Sequence, residues 1–298
     1  MTTTDPPAAK KRTRSGQTPI AWALLTPGML LVLALAIVPL VLIARNSFAN
    51  ADGYGGVRGG FTLDQYAHLA DPVYAKTLVY SLGVAAINSI LCVAVGYLVS
   101  YYVVSLPAGR QPLILLALII PFWTDFLVRT FAWMTLLGSG GPVVAVMRGI
   151  GLDGADTLIP SQTAVFLALL YAFLPTAVFP IYASMRGIDP ALREAAADLG
   201  CGWWRTHLKV IAPLSATGIA GAILLTFVPT LGVFVIPVLL GGGKQLLVGN
   251  LIVTLYTEFR NQPMGAALSM IVLALMLISL AVAAAALKAR SRSARWTG

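Results

Sequence analysis

The chain has 298 residues, of which 58% are hydrophobic and 10% charged, against about 25% charged in an ordinary soluble domain. That deficit excludes a soluble globular enzyme. The net charge of +9 does not point to nucleic acid, because the basic residues sit beside apolar segments and not within one polar domain.

Residues 1–19, rich in Thr, Pro and Lys, read as a disordered tail. Lys10, Lys11, Arg12 and Arg14 then precede an uncharged stretch from Ile20 to Ala44. This stretch is too long for a signal-peptide core and reads as an uncleaved first transmembrane helix. A helix needs about 20 apolar residues to cross the hydrocarbon core. On that measure five more spans follow: Leu78 to Val104, Pro112 to Leu136, Ser161 to Met185, Leu214 to Leu240 and Met264 to Leu287. The expected fold is an all-α integral membrane domain over residues 20–287, closed by a basic tail at 288–298.

An even number of spans puts both termini on one side. The clusters at Lys10 to Arg14 and Lys288 to Arg295 mark that side as cytoplasmic by the positive-inside rule. In the outer loop of residues 45–77, Phe61, Leu63, Tyr66 and Leu69 recur at spacings that suit a short strand-to-helix element. The glycine-bounded segment Gly138 to Gly151 suggests a short interfacial helix around Val143 to Arg148. Pro121, Pro175, Pro180, Pro229 and Pro237 fall in spans three to five. Each frees backbone groups that lipid cannot satisfy, so these spans either line an interior or owe their prolines to helix packing.

Within span three, Asp125 and Arg129 stand four apart, on one face of a continuous helix, where they can pair. Such a pair either locks the span in place, or leaves Asp125 to attract a cationic amine among the rings of Phe122, Trp123 and Phe126. Trp123, Asp125, Arg129, Tyr171 and Glu258 are the candidate residues of a translocation path. Glu258 reads either as a gate residue or as a solvated loop charge.

The loop between spans four and five carries the most specific pattern: Arg186-Gly-Ile-Asp-Pro-Ala-Leu-Arg-Glu-Ala-Ala-Ala-Asp-Leu-Gly200, then Cys-Gly-Trp-Trp-Arg-Thr-His-Leu-Lys-Val-Ile-Ala-Pro213. Asp189 suits an N-cap and Pro190 the first helical position. Gly200 suits the helix end. A second short helix, Trp203 to Val210, would run until Pro213 starts the next span. The pattern predicts a helix-turn-helix whose small Ala195, Ala196 and Ala197 allow another surface to approach closely.

These residues resemble the EAA loop of permease subunits in binding-protein-dependent ABC importers. Glu194, Ala195 and Ala196 take the namesake positions, and Gly200 follows six residues after the glutamate. Val210 takes the branched apolar position and Pro213 the closing proline; Asp198 and Arg205 lie within the same loop. His207 and Ala212 stand where Phe and Leu are common. His207 there brings either pH sensitivity or plain packing.

Thr62-Leu-Asp-Gln-Tyr66, Pro121 to Trp133 and Leu239-Leu-Gly-Gly-Gly243 look like the spermidine and putrescine permease subfamily. The segment Gly232 to Leu240 and the run Arg260-Asn-Gln-Pro263 lack the acidic groups seen there. The resemblance implies the six-helix type I importer fold in a bacterial inner membrane, with the coupling helix-turn-helix between helices 4 and 5. It also implies four kinds of neighbour: an ABC ATPase dimer, a second permease subunit, an extracytoplasmic substrate-binding protein and the lipid membrane.

This chain is expected to hold no metal or cofactor, with ATP and Mg²⁺ on the ATPase. Gly241-Gly-Gly-Lys-Gln245 lacks the upstream glycine and the Ser or Thr of a P-loop. An ion-coupled secondary transporter or channel is the alternative, with Asp125 its one deep acid. A membrane enzyme lacks a clustered constellation of side chains.

Overall fold

The protein is described by a computed structural model covering residues 18–151, 157–243 and 246–293. Residues 1–17 of the N-terminal tail, 294–298 of the C-terminal tail, and Lys244 and Gln245 of the P-loop comparison lie outside the described residues.

The chain opens with α1, Thr18–Ser47. A short antiparallel hairpin follows, β1 Asn50–Ala51 with β2 Val57–Arg58, in the register Asn50 opposite Arg58. Asp52 closes its turn by accepting from the backbone N–H groups of Tyr54 and Gly56 at 2.9 and 2.6 Å. Next comes α2, Asp64–Leu69. The strand-to-helix element of the outer loop is thus present, with Leu69 buried and the Tyr66 hydroxyl donating to Ser47 Oγ at 2.8 Å.

Asp71 caps α3, Pro72–Val104, by accepting from Val73 N, so this helix starts six residues before the expected Leu78. Burial along α3 follows the helical period through Ser81, Val84, Ala85, Asn88, Ser89, Cys92, Gly96 and Ser100. Two further helices cross against it, α7 (Gln162–Arg186) and α11 (Ala216–Gly232), and these three form the core. Close approach is set by small residues, as expected where no hydrophobic drive separates helix from lipid. A Cβ on Gly96 would meet Ala177 at 3.2 Å, and one on Gly218 would collide with Ser184 Oγ and the Pro180 carbonyl. Ser100 Oγ donates to the Val178 carbonyl at 3.0 Å.

Span three departs from the expected continuous helix. It divides into α4, Gln111–Ile119, extended by a 3₁₀ turn Ile120–Trp123, and α5, Phe126–Leu137. Thr124 between them is extended, with ψ of 148°. After α5 comes α6, Pro142–Gly149, the short helix expected around Val143 to Arg148. Among the described residues, five stretches are long and apolar enough to cross a membrane: Leu25–Ser47, Pro72–Val104, Phe126–Gly149, Gln162–Arg186 and Gln262–Ala285. The sixth crossing is α11, Ala216–Gly232, which passes the same test together with the segment Trp203–Leu214, bent from it by 76°.

Pro175 and Pro180 lie in α7, half of whose membrane window is buried, whereas Pro121 is exposed in the 3₁₀ turn that follows α4. Most of α4 and α5 faces outward, and α3 takes the interior place that its packed small and polar stripe fits. Beyond α11 lie α12 (Val235–Gly241), α13 (Val248–Thr257) and α14 (Gln262–Ser293). The last helix continues through Lys288 into what was expected to be a tail. Among the described residues, α14 is the main neighbour of α1, and none of the most apolar stretch of Leu25–Ser47 is buried within the chain.

Candidate functional site

The loop from Gly187 to Ser215 folds as the capping signals dictate. Its first helix spans Ala191–Asp198, with Pro190 already helical and Asp189 Oδ1 accepting from Ala191 N at 2.9 Å. Gly200 sits at φ +74°, a left-handed conformation that only glycine and asparagine adopt cheaply. Its N–H bonds the Ala197 carbonyl at 2.9 Å and the Cys201 N–H bonds that of Ala196 at 3.0 Å. Those two bonds make a Schellman end, which stops the helix and turns the chain.

A second helical segment, Trp203–Leu214, runs four residues beyond the expected Val210. Its 207–211 stretch is π-helical. Pro213, which has no N–H to give, therefore lies inside this segment instead of opening the next span. The break falls at Ser215, whose hydroxyl donates back to the Ile211 carbonyl at 2.8 Å, and α11 leaves at 76°.

Glu194, Ala195, Asp198 and Arg205 are exposed, Ala196 is buried, Val210 is half-buried and Pro213 is exposed. The loop therefore offers an acidic and alanine face outward while Ala196 faces inward. It is tied to the core at two places. His207 is 4% exposed, shares a 3.0 Å hydrogen bond between Nδ1 and the Tyr97 hydroxyl, and lies between the rings of Tyr101 and Trp203 at 4.3 and 4.2 Å. Burial, reinforced by the Arg193 charge, holds this imidazole below its ordinary value of 6.5. At the other place, Ile211 is 3% exposed and packs in one cluster with Cys92 of α3, with Ala177, Ile181 and Met185 of α7, and with Ala222 of α11. Displacing this loop thus loads α3, α7 and α11 together.

The candidate path residues are not brought together. Asp125 and Arg129 do not pair, because Asp125 is not a helical residue but the N-cap of α5, accepting from Leu127 N at 2.8 Å and Val128 N at 3.4 Å. Arg129 instead lays its guanidinium over Phe122 at 4.8 Å and Phe126 at 5.9 Å, with Nε buried and unbonded. Trp123 is 80% exposed, and Tyr171 meets Trp133 edge-on at 5.6 Å. Glu258 caps the C-terminal end of α13 and is exposed, two residues before the positive-φ Arg260.

Polar groups in the core were the part that sequence reading left out. Asn88 Nδ2 donates to Thr230 Oγ1 at 2.9 Å, joining α3 to α11, and the Val248 N–H donates to Ser81 Oγ at 2.7 Å. Their signal was present as polar residues at helical spacing inside an apolar run.

A bent, small-residue-packed bundle with a rigid, outward-facing loop between its fourth and fifth crossings defines a membrane transport permease. A family model, "Binding-protein-dependent transport system inner membrane component", matches residues 95–292, and the chain belongs to that family. It is 37% identical over 242 residues to the spermidine/putrescine transport system permease protein PotB of Salmonella typhimurium, covering 80% of this chain and 84% of that one. PotB of Escherichia coli K12 is 36% identical, at 80% and 88% coverage. The inner membrane ABC transporter permease protein YdcU of the same organism is 27% identical, at 80% of each. Among solved structures, a chain of a bacterial alginate ABC transporter in complex with an alginate pentasaccharide-bound periplasmic protein superimposes with a TM-score of 0.72. It shares 15% identity, covers 92% of this chain and 96% of that one, and establishes the six-helix type I importer fold. The chain is the permease subunit of an ABC importer.

Proposed function

We propose that this permease forms half of the translocation path for a polyamine, loaded by an extracytoplasmic binding protein, with a second permease subunit forming the other half. A separate ATPase dimer, which carries ATP and Mg²⁺, docks on the loop around Glu194. Both termini and that loop face the cytoplasm, in keeping with the basic residues flanking the first and last helices.

The observation that carries this reading is the loop's combination of outward exposure and inward anchoring. Glu194, Ala195 and Asp198 are exposed, while the His207–Tyr97 bond and the packing of Ile211 tie the same unit to the three core helices. A surface that docks there can move the bundle, which a flexible return loop could not transmit. The polyamine assignment draws on the PotB relatives. The path would offer aromatic faces, such as Trp123 and Tyr171, to an ammonium group.

Affinity purification of the tagged chain, co-expressed with its cognate operon partners, tests the coupling. A P-loop ATPase should copurify, and Glu194→Ala should weaken its retention and cut ligand-stimulated ATP turnover. Uptake that persists in vesicles without an ATPase and follows an ion gradient would overturn the proposal in favour of a secondary transporter. Spermidine or putrescine on the binding protein should raise turnover; stimulation only by another solute would remove the polyamine assignment alone.

A further inference from the structure

An apolar groove of about 410 Å³ lies between α3, the segment Trp203–Leu214 and α11, with Val93, Ala94, Leu98, Trp204 and Leu208 among its lining residues. We propose that it holds an acyl chain of an anionic phospholipid, whose headgroup is met by Arg205 and Lys209.

The groove's lining is almost wholly apolar, and its two ionisable side chains, His207 and Tyr97, are already bonded to each other. Such a surface cannot replace the hydration shell of a charged solute, which excludes the transported amine as its occupant.

The segment Trp203–Leu214 adds a second argument. Trp204 and Leu208 stand four apart and are 71% and 69% exposed, which would be costly against water. Arg205 and Lys209, also four apart and exposed, form the adjoining stripe one position round the helix. An exposed apolar stripe with tryptophan, bordered by a basic stripe, is the arrangement of a helix lying in the membrane interface. Each cation close to an anionic headgroup surface adds attraction. The charges thus favour phosphatidylglycerol over a zwitterionic lipid.

The inference needs only the membrane embedding, so it survives or fails apart from the ATPase coupling. The full chain is purified in detergent and incubated with equimolar phosphatidylglycerol and phosphatidylcholine of matched acyl chains, and bound lipid is counted by native mass spectrometry. Phosphatidylglycerol should be retained on the order of ten-fold in preference. Arg205→Gln with Lys209→Gln should abolish that preference while leaving a lipid bound, and Ala94→Phe, at an exposed lining position, should expel both lipids.

In unaltered protein, a photoreactive group on the phosphatidylglycerol acyl chain should label the peptides containing Leu98 and Leu208, which guards against a variant that does not fold. Retention and preference unchanged by all three substitutions, or labelling confined to other helices, would overturn the proposal. So would crosslinking of a Leu208→Cys side chain to another protein subunit in the assembled complex.

Discussion

Replacing Gly200 tests the coupling loop without touching its chemistry. A Cβ built at this position meets nothing within 4 Å, so Gly200→Ala introduces no clash, and its whole effect comes from holding alanine at φ +74°. That conformation costs a residue with a Cβ roughly 1–2 kcal/mol, a factor of about 5–30 in the population of the closed helix end. Asparagine tolerates the left-handed region, so Gly200→Asn should retain most of the closed form.

Hydrogen exchange reads this directly. The amides of Gly200 and Cys201, bonded to Ala197 and Ala196, should exchange about 5–30 times faster in the alanine variant, with asparagine intermediate. Ligand-stimulated ATP turnover should fall in the same order. Equal exchange in the two variants, or loss of turnover greater with asparagine than with alanine, would refute the idea that the Schellman end sets the geometry of the docking surface.

Three other outcomes follow from the same structure. His207 is kept neutral by burial and by the Arg193 charge, so the unfolded chain takes up its proton first as pH falls. Stability should be level above about pH 6.5 and decline below it, which thermal melts from pH 7.5 to 5 would record; His207→Phe should flatten the acid limb, and an unchanged limb would remove the assignment. Asp125→Ala should cost about 1 kcal/mol through loss of the α5 cap, whereas Asp125→Asn should cost far less because asparagine caps as well. Equal losses in denaturant titrations would indicate that the carboxylate's charge and not its capping matters. Thr230→Val should strip the buried Asn88 amide of its acceptor and destabilise the bundle by about 0.6–2 kcal/mol, measured against Asn88→Val/Thr230→Val as the double variant.

The parts of the fold readable from residues were those governed by local rules. Uncharged length located α1, α3, α7 and α14, and the Asp189-Pro190 start with the Gly200 stop placed the first loop helix to within a residue. The discontinuities were not readable in the same way. Nothing in the hydropathy of residues 112–136 marks the extended Thr124, and the assumption of a continuous helix there produced the unrealised Asp125–Arg129 pair. Pro213 looked like the start of a span because proline favours a first turn. The real bend, two residues later at Ser215, depends on how α11 is seated against Pro180 and Ser184. Coupling-loop residues could be named because caps and exposure are properties of short segments. The path residues depend on which helices meet, and that is fixed by contacts distant in sequence.

The first helix has a further consequence for biogenesis. Its main packing partner within the chain, α14, comes after every other described helix. Until α14 emerges, α1 therefore lacks that partner and rests chiefly on its own partition into lipid. The long apolar run within Leu25–Ser47 suits that interval, and a charge introduced near Leu35 should show its damage at insertion, before any assembled transporter exists to be impaired.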